Sequence, residues 1–154
     1  MRTLAIGDIH GCHTALIRLL AQVQPNPKDQ LVFLGDYIDR GPASRQVIET
    51  LLEVRGCWST VFLRGNHEVM ILDARDDTLK DNLWQSYGGL ETLFSYDLNY
   101  RQDWVSKIPD SHWEFLERTN RLFRNRHTHF RACLFGSGTR HERSARVALI
   151  LGIL

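Results

Sequence analysis

No stretch of this chain approaches the ~18 consecutive apolar residues that a membrane-crossing helix needs, and the closing Val147–Leu154 run is too short to serve. Cysteine is scarce. Cys12, Cys57 and Cys133 fall at no metal-knuckle spacing, and three cannot form a disulfide framework, so they read as reduced thiols of a cytoplasmic protein. Met1-Arg2-Thr3-Leu4 runs straight into an apolar tetrad and leaves no room for the apolar stretch of a signal peptide. Internal repeats and low-complexity segments are also missing, which excludes solenoids and linker-like chains. Neither sign of charge dominates, since the net is +1. That balance hides a step: residues up to Phe123 carry −4, whereas residues from Arg124 onward carry +5 from six arginines and Glu142. A basic tail raises nucleic-acid binding as a possibility. Its arginines lack interleaved aromatics and share no helical face, so nucleic acid is not the expected partner.

What is present is an ordinary globular composition, 43% hydrophobic and 24% charged over 154 residues, enough for one domain with a real core. Thr3-Leu4-Ala5-Ile6 reads as a buried strand, and Thr14 to Gln24 as a helix with Leu16, Ile17, Leu19, Leu20 and Val23 facing inward. Pro25-Asn26-Pro27-Lys28-Asp29 ends that helix. Leu31–Leu34 and Thr60–Leu63 read as further strands. Ser44–Val54, with Val47, Ile48, Leu51 and Leu52 inward, and Glu68–Ala74 read as further helices. Strand, loop and helix recurring three times at roughly 30 residues predict βαβ units and a largely parallel sheet. Thr78 to Asn120 is helical and aromatic, with Leu83, Trp84, Tyr87, Leu90, Leu93, Phe94, Tyr96, Trp104, Trp113, Phe115 and Leu116, and Pro109-Asp110-Ser111 opens a helix. This segment is expected to cap the site, and its aromatic row to be core rather than a substrate platform.

Three short strings follow the three strands: Gly7-Asp8-Ile9-His10-Gly11, Gly35-Asp36-Tyr37-Ile38-Asp39-Arg40-Gly41 and Arg64-Gly65-Asn66-His67-Glu68. Ligands of parallel sheets bind at the carboxyl ends of strands, which is where all three lie. Together they offer carboxylates, imidazoles, an amide oxygen and two guanidinium groups, the set that two-metal phosphoester hydrolysis requires. Two divalent ions about 3.5–4 Å apart clamp the ester and acidify a water. Asp8 and His10, two residues apart, can face one ion; Asp36 can bridge both; Asn66 can offer its amide oxygen to the second. His67 can protonate the leaving oxygen, with Asp39 fixing its tautomer. Arg40 and Arg64 can grip phosphate oxygens as bidentate forks. Singly, each of these is an ordinary loop acid, histidine or surface arginine, and Glu68 reads as a first-turn acid favoured by the helix dipole. Only their order after three successive strands singles them out.

Those strings resemble the signature of phosphoprotein-phosphatase-type, calcineurin-like metallophosphoesterases, a family that includes bacterial serine/threonine phosphatases and symmetrical diadenosine tetraphosphatases. The resemblance covers residues 1–123. It implies an α/β fold, here the N-terminal half of a β-sandwich flanked by helices, followed by the helical cap and an irregular tail. It implies two divalent metal ions, manganese first and iron, zinc or magnesium as alternatives, with Asp8, His10, Asp36 and Asn66 as ligands. It also implies His67 and Asp39 as acid and partner, Arg40 and Arg64 on phosphate, and a phosphoprotein or dinucleoside polyphosphate as substrate. A non-catalytic, phosphate- or partner-binding remnant is the other reading.

The family pattern breaks after Phe123. Two further histidine ligands, in a Phe-Val-His-Ala type string and a later Gly-His, have no counterpart, and residues 124–134 are arginine-rich without a strand pattern. Permitted codons for Arg124–Cys133, read one nucleotide later, can spell Glu-Thr-Asp-Thr-His-Ile-Phe-Val-His-Ala. A frameshift near Phe123 is therefore the expectation, dividing the chain into an incomplete domain, 1–123, and an aberrant basic tail, 124–154, and leaving activity impaired. His127, His129 and His141 could act as replacement ligands, although their spacing gives that no support.

Overall fold

The computed structural model describes residues 2–99, 103–124, 129–131 and 147–150. Three strands, β1 (Thr3–Ile6), β2 (Gln30–Phe33) and β3 (Ser59–Phe62), alternate with three helices, α1 (His13–Val23), α2 (Ser44–Cys57) and α3 (Asn66–Ala74). All three strands run parallel, in register Leu4 to Leu31 and Leu31 to Thr60. Their short apolar runs suit a sheet covered on both faces, and Leu4, Leu31, Val32 and Phe33 are almost wholly buried. The expected boundaries hold to within a residue for the strands. Helix α3, however, starts at Asn66 rather than Glu68, which puts Asn66 and His67 on its first turn.

Helix α1 corrects one expectation. Leu16 is buried, and Leu19, Leu20 and Val23 are packed against the core, but Ile17 is 44% exposed. The inward stripe follows the i, i+3, i+4, i+7 spacing of one helical face, and Ile17 lies about 100° round from Leu16. The helix stops where Gln24 turns left-handed, φ 46°, ahead of Pro25.

The segment after α3 is helical. Helix α4 (Thr78–Trp84) is capped by the Asp77 carboxylate, which accepts from the Leu79 and Lys80 N–H groups. A wide turn over Gln85–Gly89 joins it to α5 (Leu90–Ser95), and α6 (Asp110–Glu117) follows Pro109. The aromatic row divides here. Trp84, Tyr96, Trp104, Trp113 and Phe115 are core, whereas Leu83, Tyr87 and Phe94 are more than half exposed. Phe115 packs edge-on to Tyr37 and Phe62, joining this segment to the sheet.

Beyond Phe123 the chain is more regular than its side-chain pattern suggests. Strands β4 (Leu122–Arg124) and β5 (His129–Arg131) form an antiparallel pair, and β6 (Val147–Ile150) lies parallel to β1, completing a four-stranded sheet of order β3-β2-β1-β6. An arginine-rich string gives no alternation to read, because these short ladders are specified by backbone pairing. His127 and His141 lie outside the described residues, as do the side chains from Phe123 onward. No helix among the described residues is long and apolar enough to cross a membrane.

Candidate metal centre

The loops leaving β1, β2 and β3 are sewn together by their backbones. The Ile9 and His10 N–H groups both donate to the Asp36 carbonyl, at 3.0 and 2.9 Å, and the Gly11 N–H donates to the Tyr37 carbonyl at 2.9 Å. The first two loops touch so closely that a Cβ on Gly11, at φ +64°, would lie 2.6 Å from the Gly41 carbonyl oxygen. A Cβ on Gly65 would collide with the Asp36 carboxylate. Four non-glycine residues of these loops, His10, Asp36, Asp39 and Arg40, hold positive φ angles of 44°, 53°, 71° and 66°. Such backbone persists only where the surroundings over-determine it, and it clusters at functional sites.

These turns bring the ligand atoms of Asp8, His10 and Asp36 within 4.8 Å of one another, the one such cluster of acids, histidines and cysteines among the described residues. His10 points Nδ1 at the Ile38 carbonyl, 3.0 Å away, which places the proton there and leaves Nε2 as the electron-pair donor. That nitrogen lies 3.2 Å from Arg40 Nη1 and accepts from it. Burial raises the Asp36 pKa, and the adjacent Asp8 carboxylate adds to the rise, against the opposing pull of the His67 N–H and the two imidazoles. The exposed Asp8 and half-buried Asp36 carboxylates beside the His10 imidazole form a hard-donor set of the kind a divalent cation takes. The residues fit a metal.

His67 stands beside this cluster, its ring 4.7 Å from that of His10 and nearly perpendicular to it. Its backbone N–H donates to Asp36 Oδ1 at 3.1 Å. Its Nδ1 meets Asp39 Oδ2 at 2.7 Å, both side chains being buried. Burial pulls the His67 pKa down, but the Asp39 hydrogen bond and the Asp39 and Asp36 charges outweigh it, leaving a net rise. Asn66 is half-buried at the start of α3, one residue from this ring.

The two arginines diverge. Arg40 is exposed beside His10 and lines a cleft of about 490 Å³ with Gln85, Ser86, Tyr87, Gly88, Leu90 and Glu91. Arg64 turns its Nε–Nη2 edge to the end of α6, donating to Thr119 Oγ1 at 2.8 Å and to the Leu116 and Glu117 carbonyls at 3.2 and 2.5 Å. That edge is one of the two with which a guanidinium can grip an oxyanion.

Sequence reading missed the supports. Glu68 does more than face the helix dipole. Fully buried, it accepts 2.8 Å hydrogen bonds from the Asp36, Tyr37 and Gly65 N–H groups and so pins the second loop to the third. Burial and the Asp36 charge push its pKa up to about 7 against those three donors. Asp39 accepts from Trp84 Nε1 at 2.9 Å and from the Thr92 hydroxyl at 2.7 Å, residues 45 and 53 positions away. No local signal marks either.

Residues 1–135 match the calcineurin-like phosphoesterase family. Serine/threonine-protein phosphatase 1 of Salmonella typhimurium is 38% identical over 108 residues, covering 70% of this chain and 42% of that protein. The symmetrical bis(5'-nucleosyl)-tetraphosphatase of Burkholderia thailandensis is 37% identical over 114 residues, covering 72% and 38% respectively. This chain thus spans about two-fifths of the length of these curated relatives. Among solved structures, a metallophosphoesterase from Sphaerobacter thermophilus superposes with TM-score 0.52 at 22% identity, covering 81% of this chain and 43% of that one. That likeness speaks to the fold alone.

Proposed function

The chain belongs to the calcineurin-like phosphoesterase family, and from that premise we propose that it hydrolyses phosphate monoesters or phosphoanhydrides with two divalent metal ions, manganese first among them. The observation that carries this reading is the meeting, at one sheet edge, of the Asp8–His10–Asp36 cluster and the buried Asp39–His67 pair. Asp8, His10, Asp36 and Asn66 would hold the ions. When bound, these supply Lewis acidity, neutralising charge on the ester and lowering the pKa of water.

The remaining work falls to the chain. Arg40 orients the phosphoryl oxygens from the cleft side, and Arg64 reaches them with the part of its guanidinium that α6 does not hold. His67, protonated at Nδ1 toward Asp39, presents Nε2 to the leaving oxygen, and, against the effect of burial, the Asp39 hydrogen bond and the Asp39 and Asp36 charges favour the imidazolium that donates the proton. The cleft beside Arg40 receives the leaving group. Both a phosphorylated side chain and a nucleotide fit this chemistry, and relatives bearing each name favour them about equally. We read residues 124–154 as lying outside this machinery. A cytoplasmic setting accords with the free thiols of Cys12 and Cys57.

Purified protein titrated with Mn²⁺ and supplied with p-nitrophenyl phosphate, a phosphoserine peptide or diadenosine tetraphosphate tests this directly. Metal-dependent phosphate release abolished by Asp36→Asn supports the reading. Release that needs no metal, or tight phosphate binding with no turnover, replaces it with a binding remnant.

A further inference from the structure

Asp39 is a buried carboxylate whose two oxygens are both engaged. Oδ2 accepts from His67 Nδ1 at 2.7 Å and from Trp84 Nε1 at 2.9 Å; Oδ1 accepts from the Thr92 hydroxyl at 2.7 Å. The Thr92 oxygen in turn accepts from the Asp39 N–H at 2.9 Å and pairs with Ser44 Oγ at 3.0 Å, so one hydroxyl clamps both ends of the residue. Asp39, Ser44, Trp84 and Thr92 are all fully buried. Two of the three donors to this carboxylate therefore come from the helical segment, outside the three motif loops.

The indole is itself held in place. Trp84 stacks obliquely on Trp104, centroids 4.9 Å apart, and Trp104 on Trp113 at 5.9 Å, with the Arg75 guanidinium over the far ring at 5.2 Å. Gly89 also lies so near the indole that a Cβ there would sit 2.5 Å from Trp84 Cε2. The aromatic row is thus core with an aim: it fixes the direction of one N–H.

We propose that Trp84 and Thr92 are positioning residues for the general acid, holding the Asp39 carboxylate so that His67 keeps its proton on Nδ1 and turns Nε2 toward the reacting phosphate. This rests on the role given to His67 above. A carboxylate held by His67 alone could swing about its terminal torsion, which is broad for aspartate, and the imidazole would follow it into the other tautomer or away from the leaving oxygen. Bonds to both oxygens remove that freedom, and a satisfied buried network specifies one geometry. Trp84 and Thr92 therefore set the aim of the acid from within the core, through Asp39.

Trp84→Phe keeps an aromatic ring and removes the N–H; Thr92→Val keeps the shape and removes the hydroxyl. Nitrogen-15 side-chain spectra of the metal-free full chain report the His67 tautomer directly. At a pH above the His67 pKa, where the ring is neutral, the wild type is expected to hold the Nδ1–H form, and each variant to gain the Nε2–H form. With Mn²⁺ added, kcat for an alkyl phosphate, whose poor leaving group needs the acid, should fall ~10-fold or more. For p-nitrophenyl phosphate, whose leaving group needs little protonation, the fall should stay under ~3-fold, with KM nearly unchanged in both cases. An unaltered tautomer in both variants, or equal losses on the two esters, overturns the proposal. Should Trp84→Phe fail to fold, Thr92→Val alone decides. A wild type that binds no Mn²⁺ and cleaves neither ester refutes the phosphoesterase reading, whereas the tautomer spectra still judge the positioning.

Discussion

The carboxyl edge of the sheet and the helical segment behind it place functional groups by opposite means. At the edge, His10, Asp36, Asp39 and Arg40 all sit on left-handed backbone, a conformation costing about 1 kcal/mol or more for each non-glycine residue. In the helical segment Trp84 and Thr92 project from ordinary right-handed turns, and the left-handed positions, Gly88 and Asp97, carry none of the site's polar contacts by their side chains. Of the groups that converge on one point, these four are delivered by strained turns, and Asn66 and His67 by the first turn of α3. Groups that must only hold others still are delivered by regular helices packed in the core. If this contrast is real, changes at the edge should destroy chemistry, and changes to its supports should cost stability or aim.

The largest effect is expected at the cluster itself. Asp36→Asn removes one of the two carboxylates of the Asp8–His10–Asp36 cluster, and should weaken Mn²⁺ binding and phosphate release by at least ~100-fold. Calorimetric metal titration checks the first and a phosphate assay the second. The far-ultraviolet spectrum should not change, because Asn preserves the acceptor for the His67 N–H. Full activity in this variant would break the comparison at its stronger end.

Next comes His67→Asn, expected to lower kcat by ~100-fold on alkyl phosphates while leaving Mn²⁺ affinity close to wild type. This change sharpens the contrast within the edge, separating the residues that hold metal from the one that moves a proton. Equal losses of metal affinity and kcat would place His67 among the ligands instead.

Glu68 belongs to the edge by position and to the supports by function. Glu68→Ala leaves the buried N–H groups of Asp36, Tyr37 and Gly65 without their acceptor. At ~1 kcal/mol or more for each unsatisfied donor, a loss of about 3 kcal/mol is expected in urea denaturation of the metal-free protein. Glu68→Gln should cost less, since its one oxygen can still serve the two donors that share Oε2. A stability unchanged by Glu68→Ala would mean that the loops hold their register without it.

What the sequence made legible follows the same division. The first three strands, the three loops and the residues proposed as ligands could be read because apolar tetrads ending in Gly-Asp or Arg-Gly are local patterns. The supports could not, because Trp84 and Thr92 reach Asp39 from 45 and 53 residues away and look like any core tryptophan and threonine. Glu68 is the first-turn acid of α3 that its position predicts, but its bonds to the second loop carry no local signal, since a first-turn acid suits the helix dipole whether or not it bonds to a neighbouring loop. Arg64 reads from sequence as a phosphate fork, and the α6 carbonyls claim one of its edges, which no local pattern announces. Ile17 misled because hydrophobicity alone does not fix the phase of a helix. The strand Val147–Ile150 was passed over because its partner, β1, lies at the other end of the chain.

The smallest effect probes the helical segment far from chemistry. His112 of α6 is buried, its Nδ1 2.7 Å from the Tyr96 hydroxyl. Burial lowers its pKa below the ordinary value of 6.5, with Glu49 opposing and Arg45 assisting. The unfolded chain therefore takes up this proton at higher pH than the folded one. The stability that neutral His112 contributes is fully present above about pH 6.5 and drains away as pH falls through the folded pKa. His112→Gln keeps a partner for the Tyr96 hydroxyl and removes the titration. It should flatten the decline in melting temperature below pH 6.5 while leaving Mn²⁺ affinity at neutral pH untouched. A variant that kept the full acid slope would assign that slope to the carboxylates of the sheet edge, and the helical segment would then be a support whose own stability is indifferent to pH.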